Sequence, residues 1–167
     1  MANMYSNCCC DSTCSVDTLL VYIFSNHTLV CMESGKVYSF GAFKNGQLGI
    51  LAMHGSVPAM PGSLDTARYR FPCHVHEQLS NQRVVTVAAG LNHSLAMTDD
   101  GKCFAWGLND CGQLGLGDAT AACFPQRIVG MKSERIVLVT SCCNHTLAVG
   151  ANASQKSSSS DSACTVS

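Results

Sequence analysis

Charge is scarce in this sequence. Asp, Glu, Lys and Arg make up 13% of the 167 residues, about half the share found in ordinary soluble domains. Ten basic residues stand against eleven acidic ones for a formal net charge of -1, and no block of Lys or Arg occurs. A phosphate backbone is normally gripped by a clustered basic surface, so direct binding of nucleic acid is not expected. Long apolar runs are absent too: Leu19 to Phe24 is far shorter than a bilayer-crossing helix, and no membrane contact is expected. MANMYSN at the amino terminus has neither the basic region nor the apolar run of a secretory signal. The cytoplasm is therefore the default address, with the nucleus as the alternative. Helical signals are also missing. No segment joins a helical period to caps, and the stretch Arg70 to Arg83 is broken by Pro72. Finally, the Gly-Leu-Gly-Asp string ending at Asp118 is not a phosphate loop, and no magnesium-binding acidic pair accompanies it. Neither a catalytic constellation nor a cofactor site is expected.

Cysteine, by contrast, is abundant, at 12 residues. Without a secretory signal the thiols are expected to be free. Cys31 and Cys103 fall in apolar, strand-like stretches and read as small buried hydrophobes. The cluster Cys8, Cys9, Cys10 and Cys14, even joined by Cys142 and Cys143, lacks the paired C-x2-C spacing of a zinc site. Cys73, His74, His76 and Glu77 in FPCHVHE hold metal-ligating atoms, yet read better as a polar surface loop. No metal is expected. Asn26, Asn92, Asn144 and Asn152 match the glycosylation pattern only by coincidence, again for want of a secretory signal.

The chain repeats itself. SNHTLVCM, LNHSLAMT and CNHTLAVG bring His27, His93 and His145 into register. Downstream, ESGKVYSFG matches DDGKCFAWG, and KNGQLG matches DCGQLG, at one offset of 66 residues. The second and third histidines are 52 apart, so the first copy carries an insertion of 14 residues between Gly49 and Val84. A period near 50 points to a propeller or solenoid. The texture is β: VVTVAA is β-branched, HSLAMT alternates, and DDG and ESG are turn strings. Gly35 and Gly101 take turn positions that call for positive φ. Gly41 and Gly107 follow the large aromatics Phe40 and Trp106, where a missing side chain lets backbone approach while the ring fills the space between sheets. Gly46, Gln47 and Gly49, like Gly112, Gln113 and Gly115, shape the exit turn.

Ala88 to Asp118, AAGLNHSLAMTDDGKCFAWGLNDCGQLGLGD, resembles the repeat of the regulator of chromosome condensation family, a seven-bladed β-propeller, over its whole length. The resemblance extends over about residues 18 to 149. It implies an all-β fold of partial β-propeller blades, each of antiparallel strands, in an incomplete ring. About seven copies would close such a ring, and this chain holds two and the start of a third. Three departures stand out. Gly90 is replaced by Phe24 and Cys142 in the other copies, the first copy lacks LGLGD, and the third stops at Val149 before any WG or GQLG.

The expected organisation is a flexible terminus at 1–17, repeats at 18–83, 84–135 and 136–149, an insertion at 50–71, and a disordered Ser-rich tail at 150–167. The recurring histidines read as structural groups that satisfy backbone or a Ser or Thr hydroxyl at a blade turn. The insertion reads as a variable loop or, more sharply, as a partner contact through Met53, Met60, Leu64, Tyr69 and Phe71. Three functional readings stand. The first is a protein-interaction module. The second, implied by the resemblance alone, is a guanine nucleotide exchange factor, or part of one, for a small GTPase. The third is a non-functional or regulatory truncation product.

Overall fold

The computed structural model describes residues 18–24, 26–50, 71–130, 135–151 and 162–166. Three antiparallel sheets follow one another along the chain. The first is β1 (Thr18–Phe24), β2 (His27–Met32), β3 (Val37–Gly41) and β4 (Cys73–His74) in that order. The second repeats the order with β5 (Val84–Ala89), β6 (His93–Thr98), β7 (Cys103–Gly107) and β8 (Ala122–Arg127). The third pairs β9 (Arg135–Cys142) with β10 (His145–Ala151) and β10 with β11 (Ser162–Val166). Among the described residues the only helical turn is a 3₁₀ turn at Glu77–Leu79. Among the described residues the fold is all-β, and the three sheets form an open series rather than a closed ring.

Local chemistry sets the hairpins. Gly35 and Gly101 sit at φ +84° and +81°, a region that residues with a side chain rarely enter. Each donates its N–H back to the strand it leaves, to Met32 and Thr98 respectively, at 2.9 Å. The registers that result are equivalent: Thr28 faces Phe40 as Ser94 faces Trp106.

Alternation along the strands then builds two cores. Leu29, Cys31 and Val37 of the first sheet meet Val87, Ala89 and Trp106 of the second. On its other side the second sheet sends Leu95, Met97 and Ala105 toward Ile136, Val139 and Ala148 of the third. All six residues of β6 are buried, because the middle sheet is covered on both faces. Val21 and Ile23 of β1 and Leu138 of β9 are exposed at 52%, 71% and 50%, since the outer sheets are covered on one face only.

Two segments depart from their sequence reading. The Ser-rich tail reads as disordered, yet Ser162–Val166 forms β11 beside β10, where β7 stands beside β6. Without β11 the edge of β10 would present unpaired backbone groups, and the Thr-Val pair favours extension. FPCHVHE reads as a loop, yet Cys73–His74 pairs with β3 and Val75 is fully buried. The amino-terminal cysteine cluster and most of the insertion, including Met53, Met60, Leu64 and Tyr69, lie outside the described residues. Phe71, at the end of the insertion, is 67% exposed.

Candidate functional site

Pairing puts His27 opposite Gly41 and His93 opposite Gly107. A Cβ on Gly107 would lie 2.5 Å from the Asn92 carbonyl oxygen and 2.7 Å from the His93 Cα, and Gly41 is equally confined. Glycine is what allows these strand ends to close on each other. The histidine rings are thereby held at the seam between one sheet and the next.

At the first seam, His27 Nε2 lies 2.9 Å from Ser94 Oγ, and Ser94 donates its own proton to the Gln47 carbonyl at 2.7 Å. A hydroxyl has a single proton. With that proton directed at the carbonyl, the imidazole is the donor and carries its hydrogen on Nε2. Trp106 also donates to the Gln47 carbonyl, from Nε1 at 2.9 Å. One backbone carbonyl of the first sheet thus collects two donors from the second. Gln47 is itself 1% exposed, and its Oε1 accepts from the Asn45 N–H, closing the turn that presents the carbonyl.

The second seam repeats this with a gap. His93 Nε2 stands 2.8 Å from Ser141 Oγ and 3.1 Å from Thr146 Oγ1. Thr146 donates to the Gln113 carbonyl at 2.8 Å, and Ser141 to the His145 carbonyl at 3.1 Å. Gln113 Oε1 accepts from the Cys111 N–H, as Gln47 does from Asn45. No tryptophan reaches the Gln113 carbonyl. Gly90 clears space for the His93 ring, because a Cβ there would lie 2.5 Å from Nδ1. His145 occupies the same repeat position but is exposed, and the Cys142 that replaces glycine before it crowds no buried ring.

Burial pushes both buried imidazoles down to a pKa of about 4; the His93 backbone partly opposes this at His27, and the neighbouring His27 ring adds to it at His93. Their Nδ1 atoms are buried without a hydrogen-bond partner. Both rings are neutral around pH 7 and bonded to hydroxyls whose protons go to carbonyls. That arrangement joins sheets; it presents no activated nucleophile.

Two features were not read from the sequence. The first is Asn109, fully buried, whose Nδ2 donates to the carbonyls of Asp118 and Thr120 while its Oδ1 accepts from the Leu114 N–H. It shapes the whole 110–120 loop. The first copy has Phe43 at this place and also lacks LGLGD, and the coincidence of those two departures was the available signal. The second is the pair Arg83 and Arg135, 52 apart like the histidines. Their stems lie under the hairpin glycines: a Cβ on Gly35 would be 2.9 Å from Arg83 Cγ, and one on Gly101 2.6 Å from Arg135 Cγ.

These seams hold an exposed surface in place. Lys44, Asp110, Cys111 and the 117–121 loop face solvent. A Cβ on Gly46 would meet the Cys123 Cα at 2.8 Å, so the exit turn of the first sheet abuts the segment that follows the second sheet's loop. Beneath them, His76 lies against Phe124 with ring centroids 4.5 Å apart, and His74 meets Tyr38 edge-on at 5.3 Å. Burial, with Lys36 adding to it, holds the His74 pKa below its ordinary value. Among the described residues, no three His, Cys, Asp or Glu groups are arranged to hold a metal.

The Regulator of chromosome condensation (RCC1) repeat model matches residues 34–97 and 100–149. The Ultraviolet-B receptor UVR8 of Arabidopsis thaliana is 35% identical over 123 residues, which are 74% of this chain and 25% of the receptor. The X-linked retinitis pigmentosa GTPase regulator of Canis lupus familiaris is 38% identical over 104 residues, 62% of this chain and 9% of that protein. Among solved structures, Prp20p of Saccharomyces cerevisiae, described with its binding properties to Gsp1p and histones, superposes with a TM-score of 0.66 at 22% identity. It covers 83% of this chain and 32% of its own. The chain therefore spans a quarter or less of these two curated relatives.

Proposed function

We propose a function from one established premise: the chain belongs to the Regulator of chromosome condensation (RCC1) repeat family. Its function is to present a protein-binding surface, made by the exposed turns of adjacent sheets. One observation carries this reading. The turn at Gly46 and the segment at Cys123 come from different sheets and touch, while Asn109 holds the loop between 110 and 120 from inside. Loops fixed on a rigid scaffold bind without a large ordering cost. The mixed charge of Lys44, Asp110 and Asp118 suits a folded protein partner better than a polyanion.

A small GTPase is the partner class favoured by the resemblance and by a relative named as a GTPase regulator. Nucleotide exchange is the finer reading. It would work without covalent chemistry, by loops that distort the phosphate and magnesium site and favour the empty GTPase. The test sets the chain against a panel of small GTPases loaded with labelled GDP. Saturable binding, weakened tenfold or more by Lys44→Glu or Asp118→Lys, is expected without faster GDP release. Accelerated release would promote exchange activity. Binding that ignores both substitutions would remove this surface from the account.

A further inference from the structure

The hairpin between β9 and β10 turns through two adjacent cysteines. Cys142 closes β9 opposite His145, and Cys143 begins the turn. Cys143 stands at φ +51°, the one residue other than glycine at positive φ among the described residues. A side chain disfavours that region, which turns ordinarily assign to glycine or asparagine. Leu91 holds the same repeat place in the second sheet and does not enter that region, so this backbone is particular to the cysteine turn. The two sulfurs lie side by side: Cys142 directs its S–H to Cys143 Sγ at 3.8 Å, and both residues are exposed. Cys31 and Cys103, by contrast, are buried thiols that desolvation pushes up to pKa values of about 11 and about 12, so they stay protonated and inert.

We propose that Cys142 and Cys143 are a site of reversible oxidation, closed into a disulfide by exchange with a small disulfide of the glutathione class, and that closure loosens the second seam. The exchange has two steps. Cys143 gives up its proton and attacks one sulfur of the small disulfide; that S–S bond breaks, and the departing sulfur takes up a proton as a free thiol. Cys142 then attacks the Cys143 sulfur of the mixed disulfide and expels the second small thiol. The protein loses two hydrogens and the small disulfide gains them. The hydrogen bond to Cys143 holds the Cys142 thiol above its ordinary pKa, which leaves Cys143 the first to attack. Among the described residues no third His, Cys, Asp or Glu group completes a metal site with the pair, so exchange rather than chelation is the chemistry open to it.

Closure bears on the seam because the backbone of this turn carries part of it. The Cys143 carbonyl accepts the Leu91 N–H at 2.8 Å, and Ser141, just before the pair, has its Oγ 2.8 Å from His93 Nε2. Neighbouring Cα atoms in a trans chain are about 3.8 Å apart, whereas disulfides ordinarily span Cα atoms about 4.4–6.8 Å apart. Bonding the two sulfurs therefore demands a new ψ at Cys142 and a new φ at Cys143. Those torsions aim the Cys143 carbonyl, so oxidation turns it away from Leu91 and reduction returns it. The inference concerns the second seam and stands apart from the loop surface proposed above.

Incubation of the full chain with glutathione disulfide, then alkylation of free thiols and tryptic mass spectrometry without reduction, tests the site. Cleavage after Arg135 and Lys156 leaves Cys142 and Cys143 as the only cysteines of their peptide. That peptide should lose two hydrogens and take no alkyl group, and dithiothreitol should restore both labels. Cys142→Ser should stop at a single glutathione adduct on Cys143. Exchange of the Leu91 amide tests the link to the seam. It should accelerate tenfold or more when the wild-type chain is oxidised and slow again on reduction. The double variant Cys142→Ser, Cys143→Ser keeps the chain's other thiols, and its Leu91 exchange should not respond to the same treatment. A peptide that keeps two alkylatable thiols, or that carries two glutathiones, would overturn the site. Leu91 exchange that ignores oxidation in the wild type, or that accelerates equally in the double variant, would overturn its link to the seam.

Discussion

The indole of Trp106 rests on Gly49 of the preceding sheet, so closely that a Cβ at 49 would lie 2.7 Å from Nε1 and 3.0 Å from Cδ1. Gly49 is also at φ +62°. Gly49→Ala therefore combines backbone strain with displacement of the ring, whereas Gly117→Ala at φ +90°, with nothing within 4 Å of its Cβ, adds strain alone. Strain of this kind costs about 1–3 kcal/mol. Urea melts should show Gly49→Ala losing clearly more than Gly117→Ala; equal losses would mean that the ring moves aside freely.

Trp106 itself is fully buried and is the largest side chain in the first core. Trp106→Ala should cost about 3–5 kcal/mol and, in a chain with so few sheets, abolish a cooperative transition. Trp106→Phe separates packing from bonding, because it keeps most of the ring and removes the donor to Gln47. A loss of about 1–2 kcal/mol is expected for it. An unchanged denaturation midpoint in Trp106→Ala would show that the seam does not depend on this residue.

The fold was legible because repetition fixes register: one offset ties His27 to His93, Phe40 to Trp106 and Gly49 to Gly115, and a shared register implies shared strands. The seam was much less legible. Ser94 stands beside His93 in the chain, but its imidazole partner is His27, 67 residues away. Only the placement of one sheet on the next reveals that pairing. The Gln47 carbonyl, which collects both donors, is a backbone group and leaves no mark in the sequence. Composition misled in two places. The serine run of the tail hid a strand at Ser162–Val166, and the polar residues of FPCHVHE hid Val75, a lone buried apolar residue beside a strand of two residues. Nothing local in the sequence says that the Asn109 side chain reaches across to Asp118 and Thr120.

Asn109→Ala tests the loop. It removes the acceptor for the buried Leu114 N–H and two carbonyl contacts across the loop. A buried donor left unpaired costs about 1–3 kcal/mol. Amide exchange should accelerate through residues 110–121 while β6 keeps its protection. Uniform loss of protection would make Asn109 a determinant of the whole sheet; no change would show that the glycines alone hold the loop.

Acid should loosen the seams. His27 and His93 have folded pKa values of about 4 against an ordinary 6.5. The unfolded chain binds two protons near pH 6.5 that the folded chain refuses until about pH 4, so stability is full above 6.5 and declines as pH falls toward 4. The slope is about 1.4 kcal/mol per pH unit for each histidine, and the total is on the order of 3 kcal/mol for each. His74 is shifted the same way by burial and adds to the decline. Denaturant midpoints measured at pH 7.5, 5.5 and 4.5 should fall steeply for the wild-type chain. In the double variant His27→Gln, His93→Gln, whose amides can still donate to Ser94 and Thr146 but do not titrate, the fall should be much shallower, though stability at pH 7.5 is lower. An equal fall in both proteins would show that protons enter elsewhere first.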